Sequence, residues 1–245
     1  MPKNRAWGRD SYSGGMTSTV TRRLVPLAAA ALILLSACSG SDDSTSDAKA
    51  SATPSASATP TPTAAPIDPE QIACKIVTAA DRAKLAGAAV DDIVAASGTD
   101  GSSQCRWQST DALIQVTTLP AKEWAKSLPD VVTQLESSSD ISSSADKKDL
   151  AAAKKLLAGA ATFTDAEACK AFATLAALGG GKKGSTTTVT TVPITETESG
   201  ISAQTCSDGD LTSIIYSVPG LKESPEVDRT VTKILASAQK RVTAG

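Results

Sequence analysis

The chain has 245 residues, five Cys, no His and a formal net charge of -2, and only 3% of its side chains are aromatic. So few aromatics exclude a stacking platform for bases or an aromatic sugar cradle. The missing His excludes Ser-His-Asp and Cys-His catalysis and His-ligated zinc.

In chain order, Arg22-Arg23 precede an apolar run over 24–35, broken only by Pro26, and the run ends in Leu35-Ser36-Ala37-Cys38. A basic start, a short apolar core and small residues read as a secretory signal over 1–37. Met16 opens a conventional basic region, so 1–15 read as lying ahead of the true start. The 12 apolar-run residues fall short of the roughly 20 that span a bilayer. Leu35-Ser36-Ala37-Cys38 resembles the lipobox of bacterial lipoproteins, whose Cys receives a diacylglyceryl group and becomes the mature N-terminus. The resemblance implies that Cys38 carries lipid and that the protein sits on the outer face of the cytoplasmic membrane, anchored without spanning it. Two acyl chains suit a stable anchor, since each buried methylene contributes about 0.8 kcal/mol.

Residues 39–66 contain no Leu, Ile, Val or aromatic residue, and Pro54, Pro60, Pro62 and Pro66 punctuate them. Such a stretch buries too little to offset its chain entropy. With Cys38 it forms a Ser/Thr/Ala/Pro tether over 38–66, whose extended reach is on the order of 80 Å.

The folded part is expected over 67–245. Asp68-Pro69 predicts a helix through Cys74. Thr78 and Asp81 predict a second helix, stopped at Gly87. Strands are expected over 90–95, 104–108 and 112–118. Pro129 predicts a helical stretch split into 121–127 and 129–137, before a polar loop over 137–144. Leu150, Ala153, Leu156 and Leu157 make an apolar helical stripe, and Thr164 with Glu167 reads as a capping box for a helix ending at Gly179-Gly180-Gly181. A strand over 186–192 reads as a sheet edge because of Pro193, and two more follow near 201–206 and 211–218. Ser224-Pro225 starts the last helix, with Val227, Val231, Ile234, Leu235, Ala238 and Val242 on one face. This order predicts an α+β domain: an antiparallel sheet with helices on one face. It falls into two similar halves, about 67–140 and 146–245.

Without Cys38, four Cys remain in an oxidising compartment, and three pairings are open. The likeness of the halves favours Cys74–Cys105 and Cys169–Cys206. In each half an Ala-Cys-Lys beside a helix is followed by a Gly/Ser/Thr-rich stretch, a second Cys and an apolar strand.

Cys74, then Thr78-Ala79-Ala80-Asp81, Leu85 and Gly87, then Cys105-Arg106-Trp107, resembles a family of actinobacterial secreted lipoproteins of unknown function. The likeness covers roughly 72–119. It departs in the second half, where Cys206-Ser207-Asp208 lacks the Trp. The resemblance implies a disulfide-stapled surface domain, with Trp107 packed on the bridge. It transfers no activity.

Several chemistries fail on the residues. After Cys38 there is no His, Met or Asn, so with paired thiols no soft-metal site remains. Asp91-Asp92 and Asp208-Gly209-Asp210 read as acidic turns without calcium-loop spacing. Gly179-Gly180-Gly181-Lys182-Lys183-Gly184-Ser185 lacks the Lys of a phosphate loop and follows a helix instead of a strand. Ser237 and Lys240 fit Ser-x-x-Lys, but no Lys-Thr-Gly follows. From Cys38 onward, 19 Lys and Arg stand against 25 Asp and Glu, a balance that repels nucleic acid. The expectation is a non-catalytic module at the cell envelope, with no metal or cofactor, that binds an envelope protein, glycan or lipid. A carrier of an apolar envelope ligand is the alternative, and a carboxylate-dependent hydrolase a third reading.

Overall fold

The computed structural model describes residues 67–98, 101–137, 143–179, 181–195 and 198–244. The expected signal, the start at Met16, the lipid-bearing Cys38 and the tether lie outside the described residues. The described chain forms α1 (Ile72–Ile76), α2 (Ala79–Ala86), β1 (Ile93–Ser97), β2 (Ser103–Gln108), β3 (Leu113–Pro120) and α3 (Ala121–Ser137). There follow α4 (Ser144–Leu157), a 3-10 turn (Ala160–Thr162), α5 (Asp165–Leu178), β4 (Thr187–Pro193), β5 (Ser199–Ser207), β6 (Asp210–Ser217) and α6 (Pro225–Thr243).

Local chemistry sets most helix ends. Thr78, Ser143 and Thr164 each accept the N–H of the acidic residue three positions on, which reaches back to the cap N–H. Such reciprocal pairs satisfy two donors that a helix start leaves free. Ser224 caps α6 ahead of Pro225. Asp68 behaves otherwise: its carboxylate accepts the Glu70 N–H and the Gln71 amide. It therefore shapes a turn, and α1 begins at Ile72 instead of at Pro69.

The expected break at Pro129 is also absent, since α3 runs through it. Trp124, Ala125 and Leu128 before the proline, and Val131 and Val132 after it, bury in one cluster. A helix-interior proline costs about 3 kcal/mol. Burying each large apolar side chain gives roughly 1.5–3 kcal/mol, so packing on one surface outweighs the lost bond.

All six strands form one antiparallel sheet in the order β1-β2-β3-β6-β5-β4. The two halves therefore share a sheet, joined where β3 pairs with β6. β4 is an edge strand ending at Pro193, as predicted. The β5–β6 turn uses Asp208 (φ 54) and Gly209 (φ 94), the positive angles that a tight hairpin demands.

Two cores follow from strand alternation. On one face Trp107, Ile114, Val116, Ile214, Tyr216 and Ala203 pack with α1, α2 and α6. A second cluster gathers α3, α4 and α5 around Leu119, Leu211 and Cys206, which point to the opposite face at one end of the sheet. The pairing favoured by the sequence is found. Cys74 of α1 bonds to Cys105 of β2, and Cys169 of α5 to Cys206 of β5, with Cα–Cα distances of 5.1 and 5.2 Å. Cys105 lies in line with Val116 and Ile214, whereas Cys206 stands opposite Leu211. The two bridges thus staple a helix to opposite faces of the sheet.

Asp81 ties α2 to α6. Its carboxylate accepts from the Thr78 hydroxyl and from Arg241 Nη1 (3.2 Å), while Arg241 also donates to the Ile76 carbonyl. Burial works to raise its pKa, but the bonds from Thr78 and Arg241 prevail and hold it below the ordinary value.

Two outcomes are expected. Cys74→Ala and Cys105→Ala each lower stability by about 3–4 kcal/mol, and the double variant is no worse than either; denaturant titration of the three checks this. Asp81→Asn costs about 1–2 kcal/mol at neutral pH. The depressed pKa makes this contribution complete above roughly pH 4 and lost as pH falls through the folded value. Denaturation curves of wild type and variant therefore converge in acid.

Candidate functional site

The face opposite α6 is polar across its middle. The register lays two rows over it. In one, Arg106, Gln115, Ile215, Ser202 and Thr190 are successive cross-strand neighbours; in the next, Gln104, Thr117, Ser213, Gln204 and Thr188 are. Only Ile215 is apolar, and no strand residue on this face is Asp or Glu. The rows are bounded at one end by Leu119, Leu211 and Cys206 of the second core. At the other end, beyond Leu113 and Ser217, lies an open groove of 250 Å³ that also touches Asp111, Ile194 and Glu198.

Gln115, Ser202, Gln204 and Ser213 are buried, while Gln104, Arg106, Thr117 and Thr190 are half-buried. Arg106 Nε, Thr190 Oγ1, Ser213 Oγ and Gln204 Oε1 are buried atoms without a hydrogen-bond partner. The Gln204 amide donates to Ser202 Oγ (3.3 Å), which leaves the Ser202 hydroxyl hydrogen available to donate. Among the described residues Arg106 enters no ion pair, whereas Arg82 pairs with Asp91 and Arg241 with Asp81. An unsatisfied buried polar group costs about 1–3 kcal/mol. Four such atoms lie on this face, and Trp124 Nε1, Thr212 Oγ1, Asp228 Oδ1 and Gln239 Oε1 are unpartnered elsewhere among the described residues.

The other residues singled out by the sequence have structural surroundings. The four domain cysteines are bridged. Trp107 is 1% exposed, lies in the same core cluster as Cys74 and Cys105, and carries the Arg82 guanidinium 4.7 Å from its ring centroid. Arg82 in turn donates to the Val77 and Val90 carbonyls, so Asp91 belongs to an ion-paired brace. Trp124 meets Phe172 edge-on at 5.6 Å in the second core. The Ser237 hydroxyl donates to the Lys233 carbonyl within α6.

Three side chains have raised pKa values. Burial and the neighbouring Asp165 and Asp208 raise Asp210. Burial and Glu223 raise Asp228. Burial, then Asp228, pushes Tyr216 up to about 12. Asp228 thus sits near Tyr216, six strand residues from Asp210, or roughly 20 Å. These two acids do not converge as the pair that glycan cleavage needs. Among the described residues no group of three His, Cys, Asp or Glu is placed to hold a metal ion.

Sequence reasoning missed the polar face. Its signal was there in period two: Gln104, Arg106 and Gln108 alternate with Cys105 and Trp107, and Ser202 and Gln204 with Ile201, Ala203 and Thr205. Comparison with family models, with curated proteins and with solved structures finds no match to this chain.

Two hydroxyls separate a structural role from a vacant one. Ser103 Oγ accepts the buried Ala73 N–H at 3.0 Å, so Ser103→Ala is expected to cost about 1–2 kcal/mol. Ser213→Ala, which removes an unpartnered hydroxyl, is expected within about 0.5 kcal/mol of wild type or above it. Chemical denaturation compares the two, and equal losses would show that Ser213 has a structural partner.

Proposed function

We propose that this protein is a non-catalytic binding module held at the outer face of the cytoplasmic membrane by a diacylglyceryl group on Cys38. In this reading the tether over 38–66 carries the domain outward, and the polar sheet face docks an envelope protein, glycan or lipid. The observation that supports the docking surface is the set of partly exposed polar side chains of Gln104, Arg106, Thr117 and Thr190, held on rigid paired strands. Anchoring rests on the Leu35-Ser36-Ala37-Cys38 sequence; among the described residues no helix is long and apolar enough to cross a membrane.

The apolar-carrier alternative draws less support. An open groove of 480 Å³ between α3 and α4 is lined by Glu136, Lys147, Lys154 and Lys155 beside Leu150 and Ala151, and its open form differs from a site that buries most of an apolar ligand.

Replacing Cys38 by Ser is expected to abolish incorporation of labelled fatty acid and to move the protein from the detergent phase to the aqueous phase. Unchanged partitioning would remove the anchor. A photo-crosslinking residue at Thr117, on the polar face, is expected to form an envelope adduct in intact cells that the same residue at Lys233, on the exposed side of α6, does not form. Equal yields from both positions would remove the face as the docking surface.

A further inference from the structure

We infer that the outer edge of β4 docks a second copy of this chain, which pairs with it antiparallel about a two-fold axis at Thr190 and joins the two sheets into one. The inference goes beyond the docking reading of the polar face and does not depend on it.

The two edges of the sheet are built differently. β1 is short, with five residues; its register with β2 shifts between Ile93 and Ala95, and its Ala96 carbonyl accepts the Asp68 N–H. Shortness, a bulge and a covering segment are devices that keep a sheet edge from recruiting another strand. β4 has none of them. It runs for seven residues in unbroken register with β5, carries no charged side chain, and places Thr or Val at every position before Pro193, a composition that favours strand pairing. Among the described residues no other strand pairs with its outer side.

The main-chain hydrogen bonds define what this edge accepts. At the two ends of the β4–β5 ladder the Cys206 N–H donates to the Thr186 carbonyl and the Ile194 N–H to the Glu198 carbonyl. Antiparallel pairs alternate between bonded and non-bonded, so the even-numbered residues of β4 turn N–H and C=O to β5 and the odd-numbered ones turn theirs outward. Thr187 has used its outward groups: its N–H donates to Ser185 Oγ, and its carbonyl accepts from the same hydroxyl. Pro193 has no N–H. Val189 and Thr191 remain, each with one donor and one acceptor. A two-fold axis through Thr190 sets Val189 of each copy opposite Thr191 of the other. All the remaining groups then bond, in four hydrogen bonds, and the deficient Thr187 and Pro193 fall opposite each other where the ladder ends. An axis through Val189 would instead set Thr191 against the spent Thr187 and leave half of the groups unpaired. This self-complementarity is what an isologous contact between identical copies requires. The start of the domain does not obstruct it. Asp68 lies against β1, five strand spacings from β4, or about 24 Å.

The test is sedimentation velocity of the purified full chain over a wide range of concentration, in a density-matched neutral detergent with micelles in excess. The expected result is a reversible monomer–dimer equilibrium. Val189→Pro and Thr191→Pro each delete one outward N–H from both copies, hence two of the four bonds, while the β4–β5 ladder keeps its own donors. Each is expected to weaken the dimer by about tenfold or more and to leave the melting temperature of the monomer close to that of wild type. Val94→Lys, at the β1 edge, is expected to leave the dimer unchanged. A second measurement does not rely on proline. In the paired edges Thr190 faces its own copy as a non-bonded pair with Cα atoms about 4.5 Å apart, within disulfide reach. Thr190→Cys is therefore expected to give a covalent dimer on mild oxidation, and Val94→Cys is not. A chain that stays monomeric at every concentration overturns the inference. So does a dimer whose affinity both proline variants leave unchanged, or one in which Thr190→Cys forms no bridge.

Discussion

Eight residue pairs between β3 and β6 hold the centre of the sheet. Every other arrangement in the domain depends on their register. Because side chains alternate, a slip of one residue would exchange the two faces: Ile114, Val116, Ile214 and Tyr216 would leave the core that α6 covers, and Gln115, Thr117, Ser213 and Ser217 would enter it. Burial of those four apolar side chains against α6 is the force that sets the register. The polar rows on the opposite face are its geometric consequence.

The bridges reinforce this two-sidedness. Cys74–Cys105 ties α1 to the α6 face, and Cys169–Cys206 ties α5 to the other. Helices also cross between halves. α3, which follows β3, packs on the 3-10 turn and α5 of the second half, while α6, which follows β6, packs on α1 and α2 of the first. Neither half can complete its core without the other, so the sheet and both clusters are expected to unfold as one unit.

Within such a cooperative unit, the face opposite α6 keeps Arg106 Nε, Thr190 Oγ1, Gln204 Oε1 and Ser213 Oγ buried without a hydrogen-bond partner. Hydrophobic substitution there would satisfy the sheet at lower cost, since unpartnered polar atoms detract from stability. Their placement on paired strands instead of a loop keeps the guanidinium and hydroxyls in fixed relation, which suits recognition because little order must be created on binding.

How much was legible follows from the range of each interaction. Helix ends marked by Thr78, Thr164 and Ser224 could be read because a cap and its N–H lie three residues apart. The strands over 103–108 and 187–193 and the apolar stripe of α6 were readable from periodicity. Asp68 and Pro129 misled for one shared reason: a local signal competes with what surrounds it. Gln71 and Glu70 drew Asp68 into a turn, and the cluster around Trp124 and Phe172 carried α3 through its proline. The cysteine pairing was legible only through the likeness of the halves.

The sequence by itself determined the caps, the turns, the alternation of each strand and the residues available for bridging, all properties of neighbours along the chain. Tertiary structure decided which strands stand side by side, and so which of two alternating sets in each strand meet. Gln104 and Arg106 of β2, Ser213 of β6 and Ser202 of β5 become one surface only because β3 pairs with β6. That pairing is governed by burial of apolar area between segments about a hundred residues apart, a quantity no local pattern encodes.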